Sequence, residues 1–125
     1  MGAVFLKNDE KIFYLISGDK EKLQGCACSG FEVLDAEQSE GAGEKHLPVV
    51  KKDGNKITVN VGSILHPMTE EHSIDWIFLE TKKGGQLVRL SPSCEPIAEF
   101  ILTDGDEAVA AYAYCNLHGF WKSAL

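Results

Sequence analysis

Turn signals recur through the last two thirds of this chain and cut it into segments short enough to be strands. Lys52-Asp53-Gly54-Asn55 separates Leu47–Val50 from Ile57–Val61, a hairpin signature. Lys82-Lys83-Gly84-Gly85 separates Ile74–Leu79 from Gln86–Leu90, and Asp104-Gly105-Asp106 separates Ala98–Leu102 from Ala108–Tyr114, giving a second and a third pair. Thr58-Val59-Asn60-Val61 alternates with period two, whereas in Ala108–Tyr114 small Ala residues interleave with Val109, Tyr112 and Tyr114 and blur the pattern. No apolar stripe of helical period extends over three turns. About seven short strands within about 80 residues predict an all-β fold, an immunoglobulin-like β-sandwich.

Ahead of this region, Glu37-Gln38-Ser39-Glu40-Gly41-Ala42-Gly43 is polar, acidic and glycine-containing, and reads as a linker. It sets off residues 1–36 from residues 44–125. A piece below about 40 residues rarely folds alone without a metal, a disulfide or a partner, so the first is expected to lean on something. Ile12–Ile16 and Phe31–Leu34 are its expected strands, around a turn at Gly18-Asp19, making it a small β-rich domain.

The net charge of −7 argues against nucleic acid as a partner, because phosphate binding needs a clustered positive face. Met1–Leu15 mixes Lys7, Asp9, Glu10 and Lys11 among short apolar pieces and lacks the continuous apolar core of a secretory signal. No run of about 18 apolar residues offers a spanning helix, so no membrane association is expected and cytoplasmic residence is the default. The four cysteines then read as thiols, metal ligands or core fillers rather than disulfides.

All four histidines, His46, His66, His72 and His118, fall after the linker, each at an element boundary or in a loop. Loops held by a rigid sandwich are where ligands and reactive groups sit. Two local clusters stand out: His66-Pro67-Met68-Thr69-Glu70-Glu71-His72, and Cys115-Asn116-Leu117-His118. Pro67 disfavours helix at His66, so the two imidazoles of the first cluster must converge through a loop. A lone histidine is more often a hydrogen-bonded surface residue than a ligand. If all four join one thiolate, however, the set has five nitrogen and sulfur donors, more than the closed tetrahedron of structural zinc requires. Iron, which accepts five ligands and keeps one position for a reactant, suits it better. Spacing alone leaves the choice open, since Cys-x-x-His and His-x5-His each occur by chance.

Glu44-Lys45-His46-Leu47-Pro48-Val49, His66-Pro67-Met68 leading to Glu71-His72, and Cys115-Asn116-Leu117-His118-Gly119 with Trp121 close behind resemble the signature of the superoxide reductases, the desulfoferrodoxin and neelaredoxin family. The resemblance spans residues 44–125. It implies an immunoglobulin-like β-sandwich with one mononuclear iron per chain, His46, His66, His72 and His118 as equatorial imidazoles and Cys115 as axial thiolate. Glu44 matches the carboxylate that can close the remaining site in the oxidised resting state, and Lys45 the cationic group beside it. The implied reaction is one-electron reduction of superoxide to hydrogen peroxide without oxygen release, with rubredoxin or a similar small protein as electron donor. In a chain of net charge −7, Lys45 would supply the local attraction for a small anion.

The N-terminal piece departs from the family pattern. Members with a desulforedoxin-like N-terminal domain bind a second iron through a Cys-x-x-Cys and an adjacent Cys pair, whereas here only Cys26 and Cys28 remain. Two thiols cannot build a four-cysteine site within one chain, so residues 1–36 are expected to be a degenerate, metal-free remnant. Cys94 is expected to be a small buried hydrophobe outside the site, Glu70 and Glu71 exposed loop carboxylates, and Met68, Trp76 and Trp121 shielding or core residues. Two other functions stay open at this point, a non-catalytic iron electron-transfer module and a structural zinc β-sandwich, and so does homo-oligomerisation.

Overall fold

The computed structural model describes residues 2–18, 30–36 and 43–125, except the side chains of Gly43 and Glu44. The chain divides into two compact units, Met1–Asp35 and Ala36–Leu125. Most of the expected linker and both Cys26 and Cys28 lie outside the described residues, as does Asp19 of the expected Gly18-Asp19 turn.

In the first unit, β1 (Phe5–Asn8) is central, flanked antiparallel by β2 (Lys11–Tyr14) and β3 (Glu32–Val33). The sequence pointed to the two outer strands and missed β1, whose four residues are too few to show a period. Each outer strand pairs with β1. The β1–β2 turn places Asp9 at a φ of 58°, a left-handed conformation that Asp tolerates better than most residues.

The second unit opens with a single helical turn, α1 (Gly43–His46), followed by seven strands. These are β4 (Pro48–Asp53), β5 (Lys56–Val61), β6 (Ile74–Thr81), β7 (Gly84–Arg89), β8 (Ile97–Ile101), β9 (Ala108–Cys115) and β10 (Gly119–Ala124). They form a four-stranded sheet in the order β10-β9-β6-β7 and a three-stranded sheet in the order β4-β5-β8, the two layers of a β-sandwich. The β4–β5 and β6–β7 hairpins stand where their turn residues put them. Gly54 takes a φ of 61° and Gly84 one of 155°, which a side chain would strain.

The third expected pair is corrected. β8 pairs with β5 and β9 pairs with β6 and β10, so the two lie in different sheets. The segment between them crosses the sandwich instead of reversing within one layer. Its start is tied to the β4–β5 turn by Leu102 N–H donating to the Asn55 carbonyl at 2.8 Å. Its end is tied to the β6–β7 turn by Lys82 N–H on the Glu107 carbonyl at 2.9 Å and Lys83 N–H on Asp106 Oδ1 at 3.1 Å.

The core follows from alternation. Ile57, Val59 and Val61 of β5 are buried while the residues between them are not. They join Ile74, Ile77, Leu79, Phe100, Ala111, Ala113 and Cys115 in one cluster. Each fully buried large aliphatic side chain stabilises the fold by about 1.5–3 kcal/mol relative to exposure. Cys115 is thus core and β9 terminus at once, a thiol held rigidly by the sheet.

Candidate metal centre

The ladder registers bring four chain segments to one end of the sandwich. Pro48 at the start of β4 faces Val61 at the end of β5, and Cys115 at the end of β9 faces both Ile74 at the start of β6 and Gly119 at the start of β10. His46 closes α1 just before β4. His66 and His72 lie in the β5–β6 connection, Cys115 ends β9, and His118 lies in the β9–β10 turn.

The five side chains expected from the sequence meet here, one donor atom from each, all within 4.8 Å of one another. His46 Nε2 lies 3.0 Å from His118 Nδ1 and 3.2 Å from His66 Nε2. Cys115 Sγ lies 3.4 Å from His66 Nε2 and 3.8 Å from His118 Nδ1. Imidazole nitrogens bound at right angles about 2.1 Å from a shared ion stand about 3.0 Å apart, so the spacing suits a common metal.

Hydrogen bonding among these groups does not satisfy every donor atom. His66 Nδ1 donates to the Pro67 carbonyl at 2.7 Å, which leaves Nε2 as a bare lone pair turned toward the other donors. His72 Nε2 is buried without any hydrogen-bond partner. A buried polar atom of this kind calls for a ligand or a cation.

The electrostatics agree. Burial, with the neighbouring His46, His72 and His118 adding to it, pushes His66 down to about 4, so this imidazole is neutral and available to a metal at neutral pH. Burial raises the Cys115 thiol, against the opposing pull of the backbone N–H groups of His118 and Leu117. The His118 N–H donates to Cys115 Sγ at 3.4 Å. A metal cation reverses this balance, because a coordinating thiol is deprotonated outright. The residues therefore fit the iron that the sequence resemblance implies: four imidazole nitrogens, that of His66 neutral, and one sulfur that a bound cation would hold as thiolate.

Two surrounding features hold the donors in place. The Trp121 indole stacks on His46, and its Nε1–H donates to the His118 carbonyl at 3.1 Å. Thr69 closes a tight turn on His72: its backbone N–H donates to the His72 carbonyl at 2.9 Å, and its hydroxyl oxygen accepts the His72 N–H at 3.1 Å. The sequence suggested shielding by Trp121 but not its two-ligand contact, and it did not single out Thr69. The Thr-x-x-His spacing was the available signal for that turn.

Lys45 is exposed beside buried His46, and the Glu44 side chain lies outside the described residues. Glu70 and Glu71 are exposed, as expected. Cys94 is not the buried hydrophobe expected: it is exposed, and Ser91 draws its thiol below the usual range by hydrogen bonding. No helix among the described residues is long and apolar enough to cross a membrane.

Fold and site together define an all-β sandwich protein with a histidine–thiol cluster able to hold one metal ion. Residues 38–124 match the Desulfoferrodoxin family model, and the chain belongs to the desulfoferrodoxin family. It is 39% identical over 120 residues to the desulfoferrodoxin of Clostridium acetobutylicum, covering 95% of this chain and 92% of that one. It is 37% identical over 100 residues to the superoxide reductase of Pyrococcus horikoshii, covering 66% of this chain and 87% of the relative. Among solved structures, the superoxide reductase from Treponema pallidum superposes with a TM-score of 0.82 at 35% identity, covering 98% of this chain and 99% of that one.

Proposed function

We propose that this protein is a superoxide reductase. The observation that carries the reading is the convergence of four imidazole nitrogens and one thiol sulfur, with one buried nitrogen left without a partner. His46, His66, His72, His118 and Cys115 are assigned as the ligands of one mononuclear iron. When bound, that iron supplies the one-electron couple by which superoxide, one electron and two protons become hydrogen peroxide with no oxygen released.

The protein's own groups prepare this chemistry. Cys115, fixed by the core, would offer the iron a thiolate from the buried side, an electron-rich donor of the kind that favours reduction chemistry. His66, oriented by the Pro67 carbonyl, contributes a neutral lone pair. Lys45 is assigned the role of drawing the superoxide anion toward a chain that otherwise repels it, and Glu44 the carboxylate that closes the site at rest. A small redox protein such as rubredoxin is the proposed electron donor, and the cytoplasm the proposed location. Residues 1–36 are read as a degenerate desulforedoxin-like domain joined by the 37–43 linker, with Cys26 and Cys28 too few for a second iron site.

Metal analysis with a visible spectrum, followed by a superoxide pulse on the reduced protein, tests the proposal. One iron per chain, a thiolate-to-iron absorption band and stoichiometric peroxide without oxygen are expected. A colourless zinc protein, or iron oxidised no faster than the background, would overturn it, and two irons per chain would overturn the reading of residues 1–36.

A further inference from the structure

Beyond the five donors, we propose that Asn116 is a positioning residue that holds His72 in register with Cys115. The inference rests on the reading of His72 and Cys115 as ligands of one metal ion.

The β6–β9 ladder reaches its end at the Ile74–Cys115 pair, and its register shifts between Ile74 and Trp76. His72 lies two residues beyond that end, where its own backbone pairs with Thr69 inside the loop and not with β9. Asn116, one residue beyond Cys115, takes over. Its backbone N–H donates to the Ser73 carbonyl at 3.1 Å. Its side-chain Oδ1 accepts the Ser73 N–H at 3.0 Å, and its Nδ2 donates to the Glu71 carbonyl at 3.0 Å. One residue thus grips the chain on both sides of His72, and the amide imitates a further rung of the sheet.

The chemistry of the grip is specific. It needs an acceptor facing the Ser73 N–H and a donor facing the Glu71 carbonyl, which also fixes which way the amide points. Asp has the size but sets an oxygen against the Glu71 carbonyl, and Ala offers neither group. His72 is the imidazole with most to lose, because its buried Nε2 has no hydrogen bond of its own to restore its position. The Thr69 turn orients the near side of the loop, and the Met68 sulfur accepts the Ile74 N–H at 3.3 Å. Neither ties His72 to the strand that carries Cys115.

The test is ferrous-ion affinity of the full-length protein, by competition with a chelator, for wild type, Asn116→Ala, Asn116→Asp, His72→Ala and the His72→Ala/Asn116→Ala double variant. Asn116→Ala should weaken binding by about tenfold or more, the usual cost of losing a group that orients a ligand. Asn116→Asp should also weaken it. The double variant should match His72→Ala within about twofold, since a residue acting through His72 has nothing left to act on. Losses that multiply in the double variant, or native affinity in Asn116→Ala, would overturn the role. If Asn116→Ala does not fold, Asn116→Asp decides by the same criterion. A wild-type protein that binds no iron overturns the proposed function and this inference together, whereas tight wild-type binding unchanged by the substitutions overturns this inference alone.

Discussion

Trp121 lies nearly flat on His46, with ring centroids 4.7 Å apart and planes 18° from parallel. The same indole donates to the His118 carbonyl, so one buried side chain braces imidazoles that are 72 residues apart in sequence. Trp121→Phe keeps an aromatic face for His46 and loses the hydrogen bond, and should retain iron with a modest loss of affinity. Trp121→Ala removes both and leaves a cavity, at a cost of about 3–5 kcal/mol in stability. Denaturant unfolding of the apoproteins beside a chelator titration separates the two effects.

Cys115→Ser keeps the approximate size and removes the sulfur. The iron protein should lose its thiolate absorption band and react more slowly with superoxide, as read by visible spectroscopy and a superoxide pulse. An unchanged band would remove Cys115 from the ligand set.

Iron removal should lower the thermal midpoint of the second unit. The donors come from the end of α1, the β5–β6 connection, the end of β9 and the β9–β10 turn, so a bound ion ties together segments that the unfolded chain separates. At free iron of about a hundred times the dissociation constant, the gain is about 2.7 kcal/mol. Calorimetry with and without a chelator measures it.

Lys45→Ala should slow the second-order reaction of the reduced protein with superoxide and flatten its dependence on ionic strength. An exposed charge acts through a field that salt screens over about 8 Å at physiological strength. Stopped-flow or pulse-radiolysis rates across a salt series read both effects, and an unchanged rate at low salt would remove the steering role.

Gly85 offers a stability test away from the centre. A Cβ there would run into the Phe78 ring, which lies across β7. Gly85→Ala should therefore destabilise the protein by about 1–3 kcal/mol in denaturant unfolding while leaving iron affinity near native.

The hairpins were legible because two-residue turns leave a local mark: Gly54-Asn55 and Lys82-Lys83 sit between segments that pair directly across them. The β8–β9 connection was not, because Asp104-Gly105-Asp106 reads as a turn whether the chain reverses in one sheet or crosses to the other. What separates the cases is distant: the Leu102–Asn55 and Lys82–Glu107 backbone bonds. The same holds at the centre. His66 and His72 could be read as a pair that converges through a loop, but their meeting with His46 depends on the Pro48–Val61 register, which no local pattern encodes. It was the resemblance in residues 44–125 that joined the five donors. The exposure of Cys94 was missed because thiols are buried so often that composition favours burial.

His46 and His118 also fix when this centre can come into being. Their facing nitrogens are contributed by residues 72 apart in the chain, and Cys115 also follows the first three imidazoles in order of synthesis. During synthesis His46, His66 and His72 leave the ribosome well before the strand that carries Cys115 can join the sheet. A nascent chain that has reached only His72 therefore has imidazoles but no complete donor set, and metal loading waits for the strand that carries Cys115.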